Sequence, residues 1–169
     1  ADVDAAVAAA VWAFPAYSKT RKSERMDLLR SLMKATESRF EDLAQAMRME
    51  MGAPISMARE AQADAAIGHL QGFMDALAEL VDREVLSNGD ILLREAIGVC
   101  GLITPWNWPM NQIALKVIPA LATGCCCVLK PSEHTPISAM IYAEIIDSAG
   151  FAPGVFNLVQ GDGPTVGAA

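Results

Sequence analysis

Ile97-Gly98-Val99-Cys100-Gly101-Leu102-Ile103-Thr104-Pro105-Trp106-Asn107-Trp108-Pro109 has two halves with different grammar. Ile97 to Ile103 is short, apolar and partly β-branched, as a buried parallel strand is. Thr104 to Pro109 sets an indole, a carboxamide and a second indole between two prolines. Each proline fixes its own φ, removes a backbone donor and pushes the preceding residue toward extended geometry. The loop is therefore rigid and holds the Asn107 amide in one direction. An uncharged NH2 donor so fixed suits an oxyanion forming on a carbonyl. The same residue type also caps helices, and a helix is expected from about Pro109. The loop alone leaves both readings open.

Downstream the pattern alternates. Met110 to Ala122 carries Ile113, Val117, Ile118 and Leu121 on one helical face, with Pro119 expected to kink or end it. Cys125 to Leu129 is a second apolar run ending at Lys130. Thr135-Pro136 opens a helix to about Ala149, and Gly150 stops it. Val155 to Val159 is a third strand, and Gly161 to Gly167 turns toward a further helix. Strand, helix, strand, helix, strand predicts an α/β fold with a doubly wound, Rossmann-like parallel sheet. Ligands of such sheets bind beyond the carboxyl ends of the strands. Asn107, the run Lys130 to Glu133, and Gly161 to Gly167 all fall there.

Lys130 and Glu133 suit a ribose, whose hydroxyls both donate and accept: an ammonium donates to them and a carboxylate accepts from them. The alternative is an ordinary surface ion pair of small energetic worth. Gly161, Gly163 and Gly167 are spaced G-x-G-x-x-x-G rather than G-x-G-x-x-G, which is a weak fingerprint on pattern alone.

The amino-terminal half is helical by periodicity. Helices are predicted over residues 2 to about 17, about 20 to 51, and from Pro54 to about Val81. The second has Met26, Leu29, Met33, Thr36, Phe40, Leu43 and Met47 inward, and Lys22, Glu24, Arg25, Arg30, Glu37, Arg39 and Glu41 outward. The methionines read as core filling and His69 as a helix-face histidine. Ser87-Asn88-Gly89-Asp90 is a turn between two β-capable stretches, so Arg83 to Ala96 reads as a hairpin arm.

The net charge is −7 over 169 residues, and no basic stretch rises above a helix-face pattern, which argues against nucleic acid. No secretory signal and no apolar run of spanning length is present, so a soluble, cytoplasmic protein without a membrane role is expected. Three of the four cysteines, Cys125, Cys126 and Cys127, are adjacent. Neighbours on a strand point to opposite faces, so these three cannot converge on one ion, and no metal site is expected. They read as inert, buried strand thiols rather than nucleophiles. The sequence starts without methionine and stops as a helix is due, which reads as a segment of a longer protein.

The chain resembles the NAD(P)-dependent aldehyde dehydrogenase superfamily. The resemblance lies in Pro105-Trp106-Asn107-Trp108-Pro109, Ala120 to Gly124, Val128 to Pro136, Pro153 to Val159 and Gly163 to Ala169, and it is nearly continuous from Val99 onward. It implies oxidation of an aldehyde to a carboxylic acid through a cysteine thiohemiacetal, with Asn107 as the oxyanion donor. The nucleophilic cysteine and the water-activating glutamate have no matching positions in this chain. Lys130, Ser132 and Glu133 would hold the adenosine ribose and Gly163 and Gly167 would lie under the adenosine side. Ile103, Thr104 and Trp106 would line the nicotinamide side, and Trp108 and Gln112 the substrate tunnel. NAD is favoured by the Glu133 carboxylate, with NADP left possible. The resemblance further implies residues 1–82 as the helical part of the cofactor domain, 83–97 as an arm joining a homodimer or homotetramer, and 98–169 as the Rossmann-like part. Alone, the segment is expected to be inactive. A non-catalytic nucleotide-binding or assembly module is the alternative if the natural protein ends near residue 169.

Overall fold

In the computed structural model, which describes residues 1–169, the chain opens with α1 (Asp2–Tyr17), α2 (Lys22–Ser38) and α3 (Phe40–Met51). The single helix predicted from about 20 to 51 is thus two. The break lies at Arg39, whose backbone leaves helical geometry (φ −109°, ψ 14°). Just before it the Ser38 hydroxyl donates to the Ala35 carbonyl at 2.8 Å, a local bond that competes with the helical ladder. The apolar periodicity runs through the break because both helices pack on one core.

The inward face of α2 also differs from the prediction. Its buried residues are Arg25, Leu29, Leu32 and Thr36. Arg25 was placed outward by its charge, yet it is only 7 % exposed. Its Nε donates to the Ala122 carbonyl at 2.8 Å, and its Nη1 donates to the Thr20 carbonyl. A cation that satisfies carbonyls left over at a helix end is electrostatically at home there.

Gly52, in the left-handed region at φ 70°, closes α3. From Pro54 a nearly continuous helical path follows: α4 (Ile55–Met57), a widened turn over Ala58–Ala63, and α5 (Asp64–Glu79). The hairpin forms as expected. β1 (Arg83–Val85) pairs antiparallel with β2 (Ile91–Leu93), Glu84 opposite Leu92, and every residue of both strands is exposed.

β3 (Val99–Ile103), α6 (Pro109–Ala122), β4 (Cys126–Lys130), α7 (Pro136–Ser148) and β5 (Phe156–Leu158) complete the α/β half. Pro119 does not end α6, which runs a further turn to Ala122. Proline costs a helix one amide donor, and here the loss falls close to the carboxyl end. The three strands are parallel in the order β3-β4-β5, with Cys100 level with Cys127 and Leu129 level with Leu158. Both crossovers step the same way, so the right-handed rule puts α6 and α7 on one face. α1 lies across the other, and its Tyr17 hydroxyl donates to the Leu121 carbonyl at 2.9 Å. Every residue of β4 is consequently buried. The last turn is a short widened one over Gly163–Gly167 rather than a full helix. No helix is long and apolar enough to cross a membrane.

Candidate cofactor and oxyanion site

Strand pairing continues one residue past β3. The Thr104 amide donates to the Lys130 carbonyl at 3.2 Å, and Thr104 is buried. The rigid loop therefore starts from a pinned point at the carboxyl end of the sheet. Pro105, Trp106 and Asn107 are exposed and Trp108 is half-buried. The residue preceding α6 is Trp108, with φ −143° and ψ 70°, and no side chain caps the helix. Asn107 thus does not serve as its cap, and its carboxamide has no hydrogen-bond partner in the chain. Of the sequence readings for Asn107, helix capping falls away.

Beside this loop, Lys130 ends β4 almost wholly buried. Its Nζ donates to the Pro131 carbonyl at 2.9 Å and meets Glu133 Oε2 at 3.3 Å. The Lys130 side chain is 7 % exposed and that of Glu133 46 %. The Glu133 backbone N–H, and after it the Lys130 ammonium, hold the Glu133 carboxyl below the usual carboxylate range, so it is ionised at neutral pH. Ser132 is buried, and its hydroxyl accepts from the His134 amide at 3.2 Å.

The glycine turn closes over the same lysine. A Cβ built at Gly167 would come within 3.7 Å of Lys130 Cδ and Cε, whereas one at Gly163 would meet open space. Gly161, at φ +149°, passes so near Val166 that a Cβ would lie 2.3 Å from Cγ2, so this turn requires glycine there. Asp162 accepts from the Thr165 amide at 2.9 Å and caps the turn. Its carboxyl is lowered first by Thr165 and further by the charge of Lys130. One ammonium thus faces two ionised carboxylates, and the cluster carries net negative charge.

Among the remaining predicted positions, Ile103 is 60 % and Trp106 50 % exposed, leaving both side chains accessible. Gln112 is half-buried on α6. One pairing was missed from sequence. His69 Nε2 lies 2.8 Å from Asn111 Oδ1, joining α5 to α6 one turn beyond Asn107. Nothing in the order of residues announces which helix faces which, so only the packing reveals it.

The cysteines sit as strand alternation demands. Cys126 and Cys127 are successive buried residues of β4, so their side chains leave opposite faces of the sheet. Burial pushes the Cys126 thiol up to about 11 and the Cys127 thiol higher still. Cys100, half-buried, is raised by burial and then by neighbouring Cys125. None of these three is a thiolate near neutral pH, and the thiolate is the nucleophilic form.

Comparison with known proteins places the chain as a whole beside one family. The model of the aldehyde dehydrogenase family matches residues 1–169. A 3-succinoylsemialdehyde-pyridine dehydrogenase of a Pseudomonas species is 52 % identical over 167 residues, covering 98 % of this chain and 35 % of the relative. An aldehyde dehydrogenase structure from Bartonella henselae superposes with a TM-score of 0.96 at 49 % identity, over 99 % of this chain and 36 % of the other. A mutant aldehyde dehydrogenase of Pseudomonas syringae, solved with NAD+ and octanal, gives 0.95 at 49 % identity over 98 % of this chain and 34 % of its own. The chain thus spans about a third of the length of these relatives.

Proposed function

This chain belongs to the aldehyde dehydrogenase family, and from that premise we propose that it supplies the oxyanion donor and the ribose contacts of an NAD-dependent aldehyde oxidation. The observation that carries the reading is the free Asn107 carboxamide, locked between Pro105 and Pro109 beyond the carboxyl end of β3. As a nucleophile adds to an aldehyde, the carbonyl oxygen gains negative charge. A neutral donor already aimed at that position stabilises the charge without reorganising. The nucleophile is a cysteine outside residues 1–169, because the thiols in this chain are buried or raised. By themselves residues 1–169 oxidise no aldehyde.

The residues present fit NAD. A buried ammonium and a half-exposed, ionised carboxylate stand together at a strand end, and Gly167 leaves room beside the lysine stem. Lys130 would donate to the ribose hydroxyls and Glu133 would accept from them. Ser132 shapes the turn between them, with its hydroxyl already engaged. Gly163 and Gly167 would face the adenosine side, and Ile103, the Thr104 backbone and Trp106 the nicotinamide side. Trp108 and Gln112 would face the aldehyde. When bound, the cofactor accepts the hydride. The net negative cluster of Lys130, Glu133 and Asp162 disfavours a 2′-phosphate, so NAD is preferred over NADP.

The exposed β1–β2 arm carries Val85, Ile91 and Leu93 uncovered, each more than half exposed. An isolated two-stranded arm is marginal in water. It is read as a contact between subunits of a homodimer or homotetramer in the cytoplasm.

The test uses a full-length enzyme carrying this chain. Asn107→Ala should lower kcat on the order of a hundredfold while leaving NAD affinity little changed. Turnover within about threefold of the parent would overturn the oxyanion role.

A further inference from the structure

Polar side chains hold α7 against α3 at two points. At one, the Arg39 guanidinium meets the Glu144 carboxylate at 3.2 Å, and both side chains are exposed. At the other, both oxygens of Glu50 accept backbone amides from the first turn of α7. Oε1 accepts from Ile137 and Oε2 from Ser138, the latter at 3.1 Å. These amides need an outside partner. Pro136 opens α7 without an N–H, and Thr135 stands at the cap position without a side-chain cap bond. A carboxylate is favourable at the amino end of a helix and unfavourable at the carboxyl end. Glu50 lies in the last turn of α3, the wrong end of its own helix. Its placement serves α7.

α7 begins where the run from Lys130 to Glu133 ends. The Thr135 amide donates to the Ser132 carbonyl at 3.1 Å, closing a four-residue turn with Glu133 and His134 as its central pair. On one side this turn is fixed by the sheet, through Lys130 of β4 and the buried Ser132. On the other it is fixed by the first turn of α7, where Gln160 Nε2 adds a neutral contact to the Pro136 carbonyl at 3.3 Å. We propose that Glu50 is a positioning residue for Glu133: its clamp on α7 fixes the turn that presents the Glu133 carboxylate to the ribose. The inference rests on the reading of Glu133 as a ribose contact. Two charge-assisted bonds to one carboxylate set direction as well as position. Without them the turn keeps its chemistry, and the binding of NAD must order Glu133 at a cost in affinity.

The experiment is a double-mutant cycle on a full-length enzyme carrying this chain, read as KM for NAD, which does not depend on how much of a variant is folded. Glu50→Ala should raise KM about fivefold, with kcat at saturating NAD within about twofold of the parent. In a Glu133→Ala background the same change should raise KM by less than about twofold, because the residue it positions is gone. Glu144→Ala cuts the other tie between α3 and α7 and should leave KM unchanged. Should the alanine variant at position 50 not fold, Glu50→Gln, which keeps one acceptor oxygen, takes its place in the cycle with a smaller factor. An unchanged KM in the position-50 variant overturns the inference. So does an equal rise in both backgrounds, or a rise that Glu144→Ala matches, since either marks a general loosening of the fold. If Glu133→Ala alone leaves KM for NAD unchanged, the ribose reading itself falls, and this inference falls with it.

Discussion

Two buried cations, Arg25 and Lys130, are almost equally hidden, at 7 % and 6 % exposed, and they do opposite things. Arg25 sits where the α1–α2 turn meets the end of α6. Its partners are the backbone carbonyls of Ala122 and Thr20, and no carboxylate lies within ion-pair distance. The planar guanidinium fits them in a fixed fork. Lys130 sits at the end of β4 with one carbonyl and one half-exposed carboxylate. An ammonium has three donors, and the Glu133 contact at 3.3 Å is long for a charge-assisted bond. Arg25 bonds to backbone carbonyls of the fold, whereas Lys130 shares its charge with a half-exposed carboxylate at a strand end. Burial of a charge alone therefore does not mark a site. The kind of partner it keeps, and where that partner lies, does.

That contrast breaks most sharply at Lys130. Lys130→Met in the full-length enzyme should weaken NAD by about ten- to a hundredfold, since hydrogen bonds to charged groups contribute about 1.5–3 kcal/mol. The change in thermal midpoint should be the smaller effect. Calorimetric titration of NAD beside a melting curve checks both. A large loss of stability with unchanged NAD affinity would put Lys130 in the same class as Arg25.

Arg25→Met should show the reverse. It strands the Ala122 carbonyl at the end of α6, which costs about 1–3 kcal/mol, and NAD affinity should hold in whatever folds. Arg25→Lys should not restore the stability, because a point-like ammonium cannot reach both carbonyls in the guanidinium's plane. Urea unfolding midpoints distinguish these variants. Full rescue by lysine would mean that charge near the α6 terminus, not fork geometry, is what matters.

Much of the α/β half was legible because its signals are local. Prolines at the start of α6 and α7, glycine at the end of α7 and three short apolar runs place every element within about two residues. Arg25 was illegible because a charged residue on a helix reads as solvated unless the distant carbonyls of Thr20 and Ala122 are known. The break at Arg39 was hidden because apolar spacing survives it. At the site, Asn107 and the Lys130–Glu133 pair could be named from strand ends and residue chemistry. The closeness of Gly167 to Lys130 needed the register of β4 with β5, and the His69–Asn111 bond needed the packing of α5 on α6.

Glu133 refines the comparison, because it is the partner that Arg25 lacks. Glu133→Gln removes one negative charge from a cluster whose sum disfavours a 2′-phosphate. NAD should weaken severalfold and the NAD-to-NADP preference should narrow by about tenfold. Steady-state kinetics with both cofactors reads this directly. Equal use of NAD and NADP by the parent would sink the selective role of Glu133.

The smallest effect is that of pH. The folded Glu133 carboxyl is lowered by its own backbone N–H and by Lys130. A group whose folded value is depressed contributes stability above its unfolded value and loses it as pH falls through the folded value. The window therefore lies below the ordinary glutamate range, and because the side chain is half-exposed the stability change there should be slight. NAD affinity should report the same proton more directly, since on the proposed function a protonated Glu133 would lose the charge with which it would accept from the ribose. Affinity should stay flat from neutral pH down to the ordinary glutamate value and fall only below it. In Glu133→Gln that acid limb should vanish while the parent retains it. An affinity that already declines between pH 7 and 6 in the parent would assign the controlling proton to another group, and the contrast between a cation held by backbone carbonyls and one paired with a carboxylate would lose its acidic half.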